Sequence, residues 1–259
     1  MTSHKAAAQS GIALVICAFA LVAGANAEPD KRHFPGVIGS DDRAIVDNTT
    51  PPWTAIGRVN VSGYRRKRHC TGTLIAPRLV VTAAHCLVNK GSGATVPLAN
   101  VHFIAGARRD THLGHAKPAC IRFMEAPPAP RAKGADRFRT DVAVIVLNDD
   151  VKVEPAALAD ETSYEIGLPL IHPGYGRDRR YMLTADRTCR LQKRVKGLWL
   201  TDCDTNFGGS GGPVLVKRQD GLAVAAIMVG GVRNKYSIAV PISTWRDLAR
   251  AKSCGREAQ

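Results

Sequence analysis

Three short segments of the 259-residue chain hold residue types that can do nucleophilic chemistry together. In the first, Val80-Val81-Thr82-Ala83-Ala84-His85-Cys86, a histidine ends an apolar run. Histidine is the side chain that takes and returns protons near neutral pH. In the second, Thr140-Asp141 heads the apolar run Val142 to Leu147. A carboxylate placed there can be buried and can hold a histidine by a charge-assisted hydrogen bond. The third, Gly208-Gly209-Ser210-Gly211-Gly212-Pro213, surrounds one serine with glycines. Glycine lets the backbone approach a substrate closely and aim N–H groups at a developing oxyanion. Each segment alone has a plainer reading: a core histidine, a strand-opening aspartate, a flexible linker.

The elements that must position these residues are short. Leu79-Val80-Val81, Val101 to Ile104, Val142 to Leu147, Pro213 to Val216 and Leu222 to Val229 are apolar or β-branched runs divided by turn residues. No long helical pattern intervenes, which indicates an all-β barrel or sandwich. The end of the chain is the exception. Thr244 and Asp247 suggest a capping box, and Ile242, Trp245, Leu248 and Ala249 recur at helical spacing. Residues 28–58 are polar and broken by Pro35, Pro51 and Pro52, and 125–139 form a Pro-rich loop.

The third segment also satisfies G-x-S-x-G, the nucleophile elbow of α/β-hydrolases. Those enzymes place their histidine after the serine, whereas all eight histidines here precede Ser210. The elbow is excluded. Instead, CTGTLIAPRLVVTAAHC, TDVAVIVL and GGSGGPV, in that order, resemble the three signature segments of the trypsin/chymotrypsin family. The resemblance implies two antiparallel six-stranded β-barrels and a C-terminal α-helix. His85 and Asp141 would come from the first barrel (about 37–150) and Ser210 from the second (about 151–254). It further implies Ser210 as nucleophile, His85 as base then acid, Asp141 as its orienter, and the Gly208 and Ser210 amides as oxyanion hole. Cys70–Cys86 would staple the loop that carries His85.

The sequence departs from the animal trypsin pattern. Gly209 stands where that pattern has the aspartate that pairs with a newly cut N-terminus, so the trypsin switch cannot operate in that form. VIGSDDRAIVDNTTPPWTAIGRV, from Val37, and CDTNFGGSGGPV resemble the bacterial secreted branch that includes glutamyl endopeptidases. That likeness implies a Cys189–Cys203 bridge, with Cys120–Cys254 as the remaining pair. For the substrate pocket, the trypsin-like pattern singles out Asp204, six residues before Ser210, and the bacterial branch singles out Thr205, Met228 and Gly230. Asp204 is expected as an anionic floor selecting Arg or Lys. Met228 stands where glutamyl endopeptidases have a histidine, which makes glutamate preference the second choice.

Composition sets the remaining bounds. Formal charge is +14 and 45% of residues are apolar, enough for a folded core. His4 and Lys5, the apolar run Gly11 to Gly24 and Ala25-Asn26-Ala27 read as a signal peptide over 1–27, hence a secreted or periplasmic protein. Residues 28–36 read as a possible pro-segment, followed by a protease domain over 37–254. Six cysteines follow the signal segment, an even number that suits disulfides in an exported chain. Metal-ligand spacings such as C-x-x-C and H-E-x-x-H are absent, and the His112/His115 pair suits a solvated loop, so neither metal nor cofactor is expected. Low aromatic content argues against a protein that stacks single-stranded bases, and no specific nucleic-acid partner is expected. The basic runs Arg65 to Arg68, Arg177 to Arg180 and Arg187 to Lys196 suit weak contact with anionic surfaces. The expectation is a monomeric serine endopeptidase acting on protein or peptide substrates. The competing class is a non-catalytic binder of anionic surfaces on a protease scaffold.

Overall fold

A computed structural model of the chain describes residues 1–2, 35–63, 66–89, 91–125, 135–160, 164–250 and 254. The signal segment, nearly all of the pro-segment, Arg65 and the centre of the Pro-rich loop lie outside the described residues.

Strands form where β-branched residues alternate or run together. After the two-residue β1 (Ala44–Ile45) come β2 (Ile56–Gly63), β3 (Arg66–Ala76), β4 (Leu79–Thr82), β5 (Val101–Ala105), β6 (Gly114–Ala116), β7 (Pro118–Phe123) and β8 (Ala143–Leu147). β2 to β8 make one antiparallel sheet of seven strands in the order β6-β5-β2-β3-β4-β8-β7. β8, the apolar run after Asp141, is buried at all five positions, as an uninterrupted apolar strand must be.

The second half contributes β9 (Ala157–Leu158), β10 (His172–Gly174), β11 (Thr184–Asp186), β12 (Leu191–Val195), β13 (Leu198–Thr201), β14 (Pro213–Arg218), β15 (Gly221–Val232) and β16 (Tyr236–Pro241). β12-β13-β16-β15-β14 form the second sheet, and β9 joins β15 in parallel. The all-β expectation with a C-terminal helix is borne out, and only the strand counts differ in detail. The first sheet has seven strands, the second has six with one parallel pair, and β1-β11-β10 make a small third sheet.

The main core draws Val59, Leu74 and Phe103 from the first sheet and Leu215, Ile227 and Val240 from the second, with Trp245 of the last helix. A separate cluster around Leu191, Trp199 and Met228 fills the second sheet's other side. The helix α2 spans Ile242–Arg250 and buries Ile242, Trp245 and Ala249. It begins two residues before Thr244, so Thr244 is inside the helix and Asp247 pairs with Arg250 at 2.9 Å. A short α1 (Asp136–Arg139) precedes Thr140-Asp141. Among the described residues no helix is long and apolar enough to cross a membrane.

Three disulfides cross-link the fold. Cys70–Cys86 joins β3 to the 3-10 turn Ala84–Leu87 that carries His85; the others are Cys189–Cys203 and Cys120–Cys254.

Candidate active site

His85 sits at the end of β4, in a turn whose backbone is fixed from two directions. The Ala84 amide donates to Asp141 O at 3.2 Å, and the His85 amide donates to Asp141 Oδ1 at 2.7 Å. The imidazole Nδ1 lies 2.7 Å from Asp141 Oδ2. A carboxylate only accepts, so Nδ1 carries the hydrogen and Nε2 is left as the basic nitrogen. Asp141 is 7% exposed at its side chain, whereas His85 is 39% exposed. The aspartate is thus shielded and the imidazole open to a reactant.

Ser210 comes from the second half and is bound into the first by its backbone. Thr71 on β3 donates its amide to Ser210 O at 2.9 Å and its hydroxyl to Gly208 O at 2.8 Å. The same hydroxyl accepts the Tyr175 amide at 2.9 Å. Gly208 has φ +97°, and a side chain there would meet Tyr175 O and His69 Nε2, so glycine is required. Among the described residues, the Gly208 and Ser210 amides donate to no protein acceptor. Two hydrogen-bond donors are thereby left beside the serine.

His85, Asp141 and Ser210 line one cleft of about 610 Å³, together with Thr205, Asn206, Phe207, Gly230 and Gly231. Pro35 and Gly36 also border it, and Gly36 O accepts the Thr205 amide at 3.0 Å. Besides the His85–Asp141 pair, its charged lining residues among those described are Arg137 and Arg233.

Of the four pocket residues read from the sequence, Thr205 and Gly230 stand on the cleft; Asp204 and Met228 do not. The pocket-floor reading of Asp204 is corrected. Its side chain turns away and is buried, with Oδ1 accepting the Ile38 amide and Oδ2 the Asp42 amide, both at 2.8 Å. Burial raises this carboxyl to about 6 against the pull of those two bonds, and the nearby Asp186 and Asp41 charges add to the rise. Met228 points into the second-sheet core, and only its backbone serves the serine loop: its O accepts Gly211 N and its N donates to Gly212 O.

Several site residues were not legible from local pattern. His172, fully buried, has Nδ1 3.0 Å from Pro213 O and Nε2 3.2 Å from Thr205 Oγ1. The carbonyl requires a hydrogen on Nδ1, so Nε2 accepts the Thr205 hydroxyl. Burial holds this ring neutral, pulling its pKa down to about 4. A Cβ on Gly209 would collide with Thr205 Oγ1, which accounts for glycine before the serine. Asn206 is braced by a buried ion cluster. Its Nδ2 donates to Asp178 Oδ1 at 2.8 Å, and Asp178 Oδ2 is paired with Arg43 at 2.9 Å. Arg43 also pairs with Asp41 at 2.8 Å, and Arg179 joins Asp41 at 2.9 Å. Arg179, 36% exposed at its side chain, thus ties the basic run 177–180 to this cluster through Asp41. The only signal for this cluster was charge in two distant stretches, Asp41 to Arg43 and Arg177 to Arg180.

Among the described residues one group of three candidate metal ligands converges, Cys70, His85 and Cys86. Its two sulfurs are joined in a disulfide and offer no thiolate.

Comparison with known proteins agrees with this geometry. A family model described as a trypsin-like peptidase domain matches residues 70–225, more than half of the chain. A Bacillus licheniformis protein named glutamyl endopeptidase is 44% identical over 189 residues, 69% of this chain and 54% of that protein. An Anopheles gambiae protein named serine protease SP24D is 28% identical over 171 residues, 58% of this chain and 59% of its own length. The chain thus spans little more than half the length of these relatives. The solved structure of a Glu endopeptidase in complex with MPD superposes with a TM-score of 0.69 at 23% identity, covering 83% of this chain and 99% of that one. The last match shows the fold. Signature segments, sheet architecture and family match agree: the chain belongs to the trypsin-like peptidase family.

Proposed function

We propose that the protein is an exported serine endopeptidase working through an acyl-enzyme at Ser210. His85 Nε2 takes the Ser210 proton as Oγ attacks the scissile carbonyl, then returns it to the leaving amine. Asp141 keeps the reactive tautomer and stabilises the imidazolium that forms. The oxyanion is assigned to the Gly208 and Ser210 amides, each worth roughly 3–4 kcal/mol in such a role. Water then attacks the acyl group by the same steps in reverse. The observation that carries this reading is the two-point hold of Asp141 on His85, on a cleft shared with Ser210. The non-catalytic binder is not favoured, because the relatives are named as proteases and endopeptidases.

A second reading concerns preference. Among the described lining residues no anionic floor supports Arg or Lys selection, while Arg137 and Arg233 bring positive charge to the cleft. Their sign favours acidic substrate side chains, in line with the name of the Bacillus relative. The histidine that would read glutamate in that branch is replaced by Met228, so these arginines are assigned the task. Residues 1–27 are assigned as signal segment, 28–36 as pro-segment and 37–254 as the catalytic domain, monomeric and without cofactor. Pro35 and Gly36 crowding the cleft supports removal of the pro-segment. Weak contact with anionic surfaces follows from the net charge of +14.

The test uses a serine-directed fluorophosphonate and a mixed peptide library, with Ser210→Ala as control. Labelling of Ser210 and cleavage that vanishes in the variant are expected. Labelling no faster than in denatured protein would overturn the reading.

A further inference from the structure

Beyond the cleft, its cationic lining continues onto an unusual surface. α1 carries Arg137 and Arg139, the turn between β15 and β16 carries Arg233 and Lys235, and β12 with its hairpin turn carries Lys193 and Lys196. All six side chains are exposed. Three contacts bring the segments together. Phe138 lies against Gly230, where a Cβ would stand 2.8 Å from its ring, and the Arg137 guanidinium sits 4.3 Å above that ring. Arg139 Cδ would be 3.5 Å from a Cβ on Gly197, in the β12–β13 turn. Lys193 Nζ lies 5.6 Å from the Tyr236 ring centre, where β16 begins.

Among the described residues none of the six has an acidic partner. Asp136 is the acid within α1. Asp202, near β12, is occupied by the Arg190 amide and the Gln192 amide group. Like charges crowded without counter-charge raise the local potential and draw anions. Two of the six line the cleft itself, so an anion bound along this wall is continuous with whatever occupies the cleft.

We propose that this wall is an exosite for an acidic stretch of the polypeptide substrate, flanking the bond to be cut. The proposal rests on the endopeptidase reading and extends it from the residue in the pocket to a segment outside it. Polypeptide is preferred over other polyanions because of that continuity with the cleft.

The test separates the wall from the chemistry by using Ser210→Ala. Two fluorescent peptides share the residues around the scissile bond; one carries a tail of four glutamates and the other four glutamines, placed on either side in turn. Anisotropy is expected to show about tenfold tighter binding of the glutamate tail on one side at low salt, the sum of several exposed pairs. The gap should close as salt rises, because exposed pairs are screened. In Lys193→Glu/Lys196→Glu the ratio between the two peptides should fall towards one. Equal binding of both tails, or a ratio untouched by that double variant, would overturn the proposal. Displacement by a DNA oligonucleotide that binds more tightly than the glutamate peptide at equal charge would overturn the choice of polypeptide. Fluorophosphonate labelling of the unmodified protein reports on the endopeptidase reading separately.

Discussion

Arg43 is the centre of the buried ion cluster, and its replacement by methionine tests how that cluster works. The Arg43 side chain is 3% exposed, that of Asp178 10% and that of Asp41 24%. Although burial opposes ionisation, Arg43 and the Asn206 amide hold Asp178 below the usual carboxylate range. Removing one partner from a buried pair costs about 3–5 kcal/mol, because the remaining charge is left uncompensated. Here Asp41 keeps Arg179 and Asp178 keeps Asn206, which places Arg43→Met near the lower bound, about 3 kcal/mol. For a domain of this size that is roughly 6–12 °C in Tm. Arg43→Met/Asp178→Leu removes the stranded charge as well and should recover at least half of the loss. Activity should not recover, since Asn206 loses its brace and its carbonyl holds the Gly209 amide ahead of Ser210. Urea unfolding with disulfides intact, run beside kcat/KM on one peptide, reads both quantities. A loss under about 1 kcal/mol for Arg43→Met would show the cluster to be solvated and refute the reasoning. So would a double variant whose losses simply add.

Two further expectations concern pH and one concerns the serine loop. His172 has a folded pKa lowered to about 4, so its stabilising contribution is complete above the unfolded value and is lost as pH falls from about 6.5 towards 4. That amounts to roughly 3 kcal/mol, and His172→Gln should flatten this limb of a pH–stability curve. Asp204 has the opposite slope: its folded pKa is raised to about 6, so stability from this group is greatest in acid and declines as pH rises from about 4 to 6. Asp204→Asn should remove that decline and leave the side-chain preference in the cleft unchanged; loss of cleavage after one residue type would restore the pocket-floor reading. Gly209→Ala should cost about 1–3 kcal/mol through its clash with Thr205 Oγ1, and adding Thr205→Ala should relieve it. Thermal melts of the single and double variants decide this.

The sequence by itself determined the parts governed by contiguous residues. β4, β8 and β14 were readable because they are short β-branched and apolar runs bounded by turn residues. His85, Asp141 and Ser210 were readable because each lies in a short segment whose composition and order carry the resemblance, and tertiary structure gathers all three on one cleft. Helix α2 was readable from its buried face, but not its first turn, since ends depend on what the chain packs against.

Only the tertiary structure decided where side chains of ambiguous type point. Asp204, six residues before the serine, could face a pocket or the interior, and the amides of Ile38 and Asp42, 166 and 162 residues away in the chain, turned it inward. Arg43, Asp178 and Asn206 form one brace across three distant segments, and the wall around Arg137 and Arg233 joins three loops. Charges can pair or repel across any sequence distance once folding brings them near, and no local periodicity records such a pairing.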